Sequence, residues 1–161
     1  MKNNSEVKYL VGGKKLNLKS TLPYNNLLCN FLGNLSKELD SHHLIKKYPD
    51  IKTLAFWCRR RNILKFRKNF MSKEVRLGLG LIFHITPSNI PTNFAYSLIF
   101  GLINGNSNII KVPSKKFIQI EIICKILNKI LKIDKFKEIR KLISIVRYKN
   151  NDNFTKTISS I

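Results

Sequence analysis

The chain has 161 residues, of which 43% are hydrophobic and 10% aromatic, and this composition is typical of one globular domain rather than a disordered segment. Its formal net charge of +21 would favour anionic partners, although the lysines are spread along the chain and most are interpreted as solvated side chains. No apolar run approaches the roughly 20 residues of a membrane span, and the N-terminus lacks a secretory signal, so we expect a cytoplasmic protein.

The first third of the sequence predicts a short strand followed by an amphipathic helix. The strand falls near residues 8–11, and two glycines then turn the chain. Leucines and a phenylalanine at helical spacing predict a helix over residues 24–39. His42 and His43 follow in a polar stretch, and adjacent side chains point to different sides of an element, which suits a metal site poorly. We therefore interpret both as surface residues and predict no metal site.

A second helix is predicted next, with Asp50 or Thr53 as its N-terminal cap. It carries apolar residues from Leu54 to Leu64, and Trp57 is interpreted as a core residue. The basic cluster that begins at Arg59 lies within this helix and is interpreted as a solvated face.

Residues 79–115 contain the pattern around which the rest of the chain is organised. An apolar, β-branched run at residues 79–85 predicts a buried strand, and a proline-framed polar turn follows at residues 86–92. A helix comes next, and Gly105 provides its stop because glycine adopts the left-handed conformation freely. The apolar run at residues 108–112 predicts a second strand. If the strands are parallel, both of the turns that follow them lie at the carboxyl edge of the sheet, where open α/β sheets bind ligands.

Three more elements are predicted after this unit. Apolar residues at helical spacing between Ile120 and Leu131 predict a long helix, residues 142–146 a strand, and residues 154–161 the start of another helix. Residues 75–161 therefore read as βαβαβα, the order expected for the first part of a doubly wound parallel sheet.

Two motifs give the sequence a family resemblance. They are HITPSNIPTNFAYSL at residues 84–98 and GLINGNSNIIKVPSK at residues 101–115, with AFWCRRRN at residues 55–62 in support. With these motifs the sequence resembles the aldehyde dehydrogenase superfamily, and more closely the bacterial fatty acyl-CoA reductases of luminescence operons. It departs from the superfamily pattern at Ser88 and in the turn of residues 111–115. The pattern residues that it keeps are Pro87, Asn89, Pro91, Gly105, Asn106 and Lys111.

The resemblance implies an α/β fold with a partial doubly wound parallel sheet, the aldehyde dehydrogenase-like cofactor-binding half, preceded by flanking helices. Residues 1–73 would be the N-terminal lead-in and flanking helices. Residues 74–161 would be the first part of the nicotinamide-cofactor-binding α/β domain, truncated. Because such a sheet is incomplete, we expect the edge of its last strand to be exposed.

The resemblance also implies a reaction, the reduction of a fatty acyl-CoA to a fatty aldehyde through an acyl-cysteine intermediate. A cysteine thiolate attacks the thioester, CoA leaves, and the nicotinamide hydride reduces the acyl group. The side-chain amide of Asn89 would donate a hydrogen bond to the developing oxyanion. The competing interpretation of Asn89 is a turn residue that bonds its own backbone. His84 lies inside an apolar run and is interpreted as a hydrogen-bonded core histidine rather than a general base.

The expected cofactor is NADP(H) rather than NAD(H). The superfamily often carries a glutamate at the position of Ser114, where it binds the ribose 2′-hydroxyl, whereas a serine beside Lys115 would accept a 2′-phosphate. By the same resemblance Lys111 reaches the adenosine ribose. The alternative interpretation is that Lys111 and Lys115 are two solvated lysines at the end of a strand. The residues that the resemblance assigns to cofactor binding are Ile85, Thr86, Pro87, Ser88, Lys111, Ser114 and Lys115.

None of the three cysteines is assigned as the nucleophile. Cys29, Cys58 and Cys124 all fall in predicted helices, away from both polar turns, and form no CxxC pair. We therefore expect an N-terminal fragment of an acyl-CoA reductase that does not turn over alone. Its expected partners are the fatty acyl-CoA and a complementing chain or further copies of itself.

Two other functions stay open at this stage. A basic nucleic-acid-binding protein is suggested by net charge alone, since recognition-helix signatures, zinc ligands and interleaved aromatic and basic residues are lacking. A non-catalytic remnant that pairs with a full-length reductase is the other.

Overall fold

The structure, a computed structural model, describes residues 6–70, 75–149 and 152–160. The strands within these residues are β1 Lys8–Gly12, β2 Leu81–Ile85, β3 Ser107–Lys111 and β4 Ile143–Arg147. They form one mixed sheet in the order β1-β4-β3-β2. The parallel pairs are β2 with β3 and β3 with β4, while β1 runs antiparallel to β4.

Helices precede the parallel strands and connect them. The helices are α1 Asn26–Asp40, α2 Pro49–Trp57, α3 Arg60–Phe70, α4 Asn93–Ile103, α5 Ile118–Leu131, α6 Lys137–Arg140 and α7 Asp152–Ser159, with short 3-10 turns at Ile45–Lys47 and Asp134–Phe136. Across the described residues, no helix is long and apolar enough to cross a membrane.

The predicted order of elements from residue 75 onward is confirmed. The elements β2, α4, β3, α5, β4 and α7 follow one another as strand and helix in turn, and their strands pair in parallel. The fold is therefore α/β, with a mostly parallel sheet that β1 makes mixed. Four strands do not by themselves define a doubly wound sheet, and the division of the chain at residue 73 stays a prediction.

One hydrophobic core joins the sheet to the helices around it. It extends from Val11 on β1 to Ile145 on β4 and includes the apolar faces of α1, α4 and α5. The ring of Phe31 on α1 packs edge-on against that of Phe136, with 5.5 Å between centroids. The hydroxyl of Ser36 donates a hydrogen bond to the carbonyl of Ala55, which ties α1 to α2. The helices predicted to cover the sheet thus share its core.

Gly105 ends α4 in the left-handed conformation that the sequence predicted, with φ of +82°. Its N–H donates to the Leu102 carbonyl and that of Asn106 to the Gly101 carbonyl, so two orphan carbonyls of the helix are satisfied. The Gly105 carbonyl accepts a hydrogen bond from the N–H of Thr21 at 2.9 Å. The end of α4 therefore anchors the segment that follows β1.

Two expectations about sheet edges were wrong. The first parallel strand was predicted to be buried, but β2 lies at the edge of the described sheet, and its last residue, Ile85, is 63% exposed. The exposed edge was predicted for the last strand, but β1 pairs along β4, with Lys8 opposite Arg147. Both errors have one cause: the antiparallel partner comes from a distant part of the chain, so no local pattern places it beside β4.

The second predicted helix is broken in two, and its predicted caps were wrong. Helix α2 begins at Pro49 after Tyr48, because proline is pre-organised for the first helical position and needs no N–H partner there. Asp50 and Thr53 both lie inside the helix. Helix α2 ends at Trp57 with Cys58 as its C-cap, and α3 begins at Arg60.

Three aromatic or histidine side chains also differ from the predictions in burial or in orientation. Trp57 is 38% exposed rather than a core residue, and it stacks on Phe66 at 5.1 Å between centroids. The rings of His42 and His43 do not point apart but stack on each other at 4.5 Å. No group of three or more potential metal-ligating side chains occurs in the described ranges.

Candidate functional site

The carboxyl ends of β2, β3 and β4 meet at one edge of the sheet. Ile85 pairs with Lys111, and Lys111 pairs with Val146 on the other side. The parallel pairing of β2 with β3 was predicted, and it is confirmed. The turns that follow these strands are consequently neighbours at the edge where open α/β sheets bind ligands.

Hydrogen bonds tie the three strand ends together. Thr86 donates both its N–H and its hydroxyl to the Lys111 carbonyl, at 3.2 and 2.9 Å. The Val112 N–H donates to the Val146 carbonyl at 2.9 Å, which extends the pairing one residue beyond β3. Each turn therefore leaves the sheet from a fixed backbone position rather than from a frayed strand end.

Arg147 at the end of β4 holds the turn after β3 in place. Its Nε donates to the Pro113 carbonyl at 3.2 Å, and its Nη1 contacts Glu121 Oε1 of α5 at 2.7 Å. Only 10% of this side chain is exposed, so the ion pair is poorly screened from the arginine side. The Arg147 Nη2 is buried without a hydrogen-bond partner in the described part of the chain. One guanidinium group thus links β4, the turn at Pro113 and the first turn of α5.

A cavity of about 360 Å³ lies between these turns. It contains five of the seven predicted cofactor-binding residues and two further residues from the end of β4. None of the lining residues is acidic, so the cavity has a positive electrostatic character. Its lining residues are Ile85, Thr86, Ser88, Lys111, Val112, Pro113, Ser114, Tyr148 and Lys149.

The ammonium group of Lys111 is positioned by a buried tyrosine. The Lys111 Nζ lies 4.6 Å from the centroid of the Tyr148 ring, within the range of a cation–π contact. Tyr148 is only 3% exposed, and its hydroxyl lies 2.8 Å from Thr155 Oγ1 on α7. Tyr148 is not among the site residues predicted from the sequence. The signal that could have found it is its place directly after β4, since the third parallel strand must end at the same edge as the other two.

The remaining predicted site residues lie beside the cavity rather than in its wall. Pro87 and Asn89 flank the lining residue Ser88 and are exposed. The Asn89 amide makes no hydrogen bond with any described residue, so the backbone-bonded turn asparagine is not what the structure contains. The Lys115 Nζ lies 5.2 Å from the centroid of the Phe117 ring, at the start of α5.

His84 is hydrogen-bonded within the sheet, as predicted. Its Nε2 lies 3.0 Å from Asn108 Oδ1 on the neighbouring strand, and the Asn108 amide donates to the Asn106 carbonyl at 2.8 Å. The imidazole is half-buried and does not line the cavity. Its contacts are those of a residue that joins β2 to β3.

All three cysteines are buried, and none lines the cavity. Burial raises the pKa of the Cys58 and Cys124 thiols to about 12. Burial also raises the pKa of the Cys29 thiol, although the nearby Arg67 guanidinium opposes this shift. Since the thiolate is the nucleophile and these groups stay protonated near neutral pH, none is suited to attack a thioester.

We predict that the folded chain reacts very slowly with thiol reagents. At pH 8 a thiol with a pKa of about 12 is ionised to roughly one part in ten thousand. Incubation with 5,5′-dithiobis(2-nitrobenzoate) should therefore release chromophore slowly from the folded chain, with the rate rising at higher pH. The same sample in guanidinium should react fast at three thiols, which provides the control. Rapid reaction of one thiol in the folded chain would contradict the assignment.

The fold and the site together define an α/β protein with a basic cleft at the carboxyl ends of its parallel strands. The family model described as acyl-CoA reductase (LuxC) matches residues 16–160, which is most of the chain, and the chain belongs to that family. Comparison with curated proteins and with solved structures gives no significant match.

Proposed function

We propose that this chain forms the cofactor-binding side of a site that reduces a fatty acyl-CoA to the fatty aldehyde. NADPH would be oxidised to NADP⁺ and CoA released. The observation that carries the proposal is the cavity between the β2 and β3 turns, where Lys111 and Ser114 face the same space in a chain of the acyl-CoA reductase family. Cavities at this edge of an α/β sheet are the usual sites of nucleotide cofactors.

The residues of the cavity fit a phosphorylated adenosine ribose. The Lys111 ammonium and the Ser114 hydroxyl would bind the 2′-phosphate, and no lining carboxylate opposes it. Tyr148 keeps the ammonium in place before the ligand arrives, which lowers the conformational entropy lost on binding. The nicotinamide, when bound, supplies the hydride.

Asn89 would donate its amide N–H to the oxygen of the reacting thioester carbonyl. In support, this amide is exposed, stands directly after the lining residue Ser88 and has no partner among the described residues. A neutral amide stabilises a developing oxyanion over a wide pH range because it needs no change of protonation. The loop of residues 86–92 would thus contribute to both cofactor binding and catalysis.

The acyl-enzyme step needs a thiolate other than those of the buried cysteines. Cys29, Cys58 and Cys124 are protonated and enclosed, so we propose that a thiol from outside these 161 residues attacks the thioester. Under this proposal residues 74–161 belong to the cofactor-binding domain, and the chain alone binds cofactor without producing aldehyde.

Replacing Ser114 with glutamate should reverse the cofactor preference. The carboxylate would repel the 2′-phosphate of NADPH and bind the ribose 2′-hydroxyl of NADH, so the ratio of the two dissociation constants should shift by about tenfold or more. Titration of the chain with each cofactor, followed by nicotinamide fluorescence, measures both constants.

The matched control is Ser114→Ala, which removes the hydroxyl without adding charge. This variant should weaken NADPH binding slightly and leave NADH binding unchanged. An unaltered NADPH-to-NADH ratio in Ser114→Glu would remove the basis for placing the 2′-phosphate here. Absence of any cofactor binding to the parent chain would count against the proposed function itself.

A further inference from the structure

A second cavity lies at the opposite end of the sheet from the candidate site. Its volume is about 730 Å³, and it is lined by residues 12–15, by the last turn of α5 and by Arg140 and Lys141. Gly12 pairs with Ser144 at the beginning of β4, so this cavity lies at the amino ends of the parallel strands. It is therefore separate from the cleft formed by the β2 and β3 turns.

Backbone contacts hold the walls of this cavity. Gly12 has φ of +70°, and a Cβ there would lie 1.9 Å from the Ile143 carbonyl oxygen, so only glycine lets the chain leave β1 so close to β4. Farther along, the Asn17 N–H donates to the Lys141 carbonyl at 2.8 Å. The segment between Gly12 and Asn17 is thus fixed at both ends. The side-chain amide of Asn128 also donates a hydrogen bond to the Leu10 carbonyl at 2.8 Å, which fixes α5 against β1.

Five cationic side chains line the cavity, and no acidic one does. Lys141 pairs with Glu138, with 2.9 Å between Nζ and Oε1. The other four make no ion pair with any described residue, and like charges brought together destabilise the fold unless an anion offsets them. The four unpaired side chains are Lys14, Lys15, Lys132 and Arg140.

Helix dipoles account for only part of this charge. Lys132 caps α5 and Arg140 lies in the last turn of α6, where cations are favoured by the carbonyl ends of the helices. Lys14 and Lys15 lie on the segment after β1 and belong to no helix, so they add two charges to those at the helix ends. An anionic ligand would offset the combined charge of the four side chains.

We propose that this cavity binds a small ligand that carries two or more linked phosphate groups. Its volume is within the range of about 300–1,000 Å³ that is typical of small-molecule sites. Arg140 offers the planar donor pair that matches phosphate oxygens, and the lysines supply point charges around it. The cavity is bounded by residues 12–15 and the ends of two helices, and this limited extent favours a compact ligand over the extended backbone of a nucleic acid.

The test is isothermal titration calorimetry of the chain with inorganic tripolyphosphate at fixed ionic strength. Two cavity variants, Arg140→Ala and the double variant Lys14→Ala/Lys15→Ala, are expected to bind about tenfold more weakly or worse. The double variant Lys46→Ala/Lys47→Ala is the matched control. It removes the same charge from an exposed 3-10 turn outside the cavity and should bind within about twofold of the parent chain. Circular dichroism establishes that each variant is folded.

Three results would overturn the proposal. An equal loss of tripolyphosphate affinity in the control and cavity double variants would show that the ligand is attracted by net charge alone. Equal affinity for orthophosphate and tripolyphosphate would show that linked phosphates are not recognised. Displacement of tripolyphosphate by duplex DNA at equal phosphate concentration would identify a nucleic-acid surface instead.

Discussion

Replacing Gly105 with alanine is expected to lower the free energy of unfolding by about 3 kcal/mol or more. The residue adopts φ of +82°, and an added Cβ would lie 2.1 Å from the Thr21 carbonyl oxygen. The backbone would have to shift, and the hydrogen bond from the Thr21 N–H to the Gly105 carbonyl would weaken. Urea denaturation followed by far-UV circular dichroism measures the change.

Gly13→Ala is the control for this prediction. A Cβ on Gly13 meets no atom within 4 Å, and its φ is outside the left-handed region, so the unfolding free energy should change by less than about 0.5 kcal/mol. If the two variants unfold at the same urea concentration, the contact between the end of α4 and Thr21 does not contribute to stability as we describe.

Replacing Lys111 with alanine is expected to weaken NADPH binding by about ten- to a hundredfold. The charge-assisted hydrogen bond to the cofactor phosphate would be lost, and Tyr148 would no longer have a cation above its ring. NADH, which lacks the 2′-phosphate, should lose less affinity. Nicotinamide fluorescence titrations with both cofactors provide the measurement.

The control is Lys116→Ala, which removes the same charge from the turn next to the cavity. Lys116 is exposed, lines no wall of the site and makes no hydrogen bond or ion pair with the described residues. Its replacement should leave NADPH affinity within about twofold. If both lysines matter equally, the effect comes from the net charge of the region, and Lys111 has no specific role in the cleft.

Local patterns predicted the elements whose signals are contained in a few turns of chain. The spacing of leucines in α1 and of isoleucines in α5 defines one buried face, and both helices are present with boundaries close to those predicted. Gly105 is another such case, because the conformation that it needs is a property of the residue itself. These elements form as predicted because tertiary packing favours the same local structure as the sequence pattern does.

The features that could not be predicted depend on partners far away in sequence. The half-buried state of β2 follows from its place at the sheet edge, not from its apolar composition. The break between α2 and α3 occurs in a stretch whose residues are all compatible with a continuous helix. Local periodicity carries no information about either.

The candidate site was predicted in outline and missed in detail. The tips of β2 and β3 were identified from their polar turns, and the structure places Thr86 and Lys111 in contact there. Arg147 ends β4 and Tyr148 directly follows it, and the sequence predicted only that the loop after this strand is polar. Tyr148 contacts Lys111, and Arg147 contacts Pro113, because a third strand ends at the same edge of the sheet. The order of the strands in the sheet determines these contacts, and no local sequence motif indicates them.

The pairing of β1 with β4 has a consequence for the order of folding. Lys8 lies opposite Arg147, so this strand pair joins nearly opposite ends of the chain, whereas β2, α4 and β3 are consecutive. Contacts of such large sequence separation close late, because the entropy of a long loop must be lost before they form. During synthesis on the ribosome, the βαβ unit therefore has time to assemble first, and β1 can form its pair only after β4 has been synthesised.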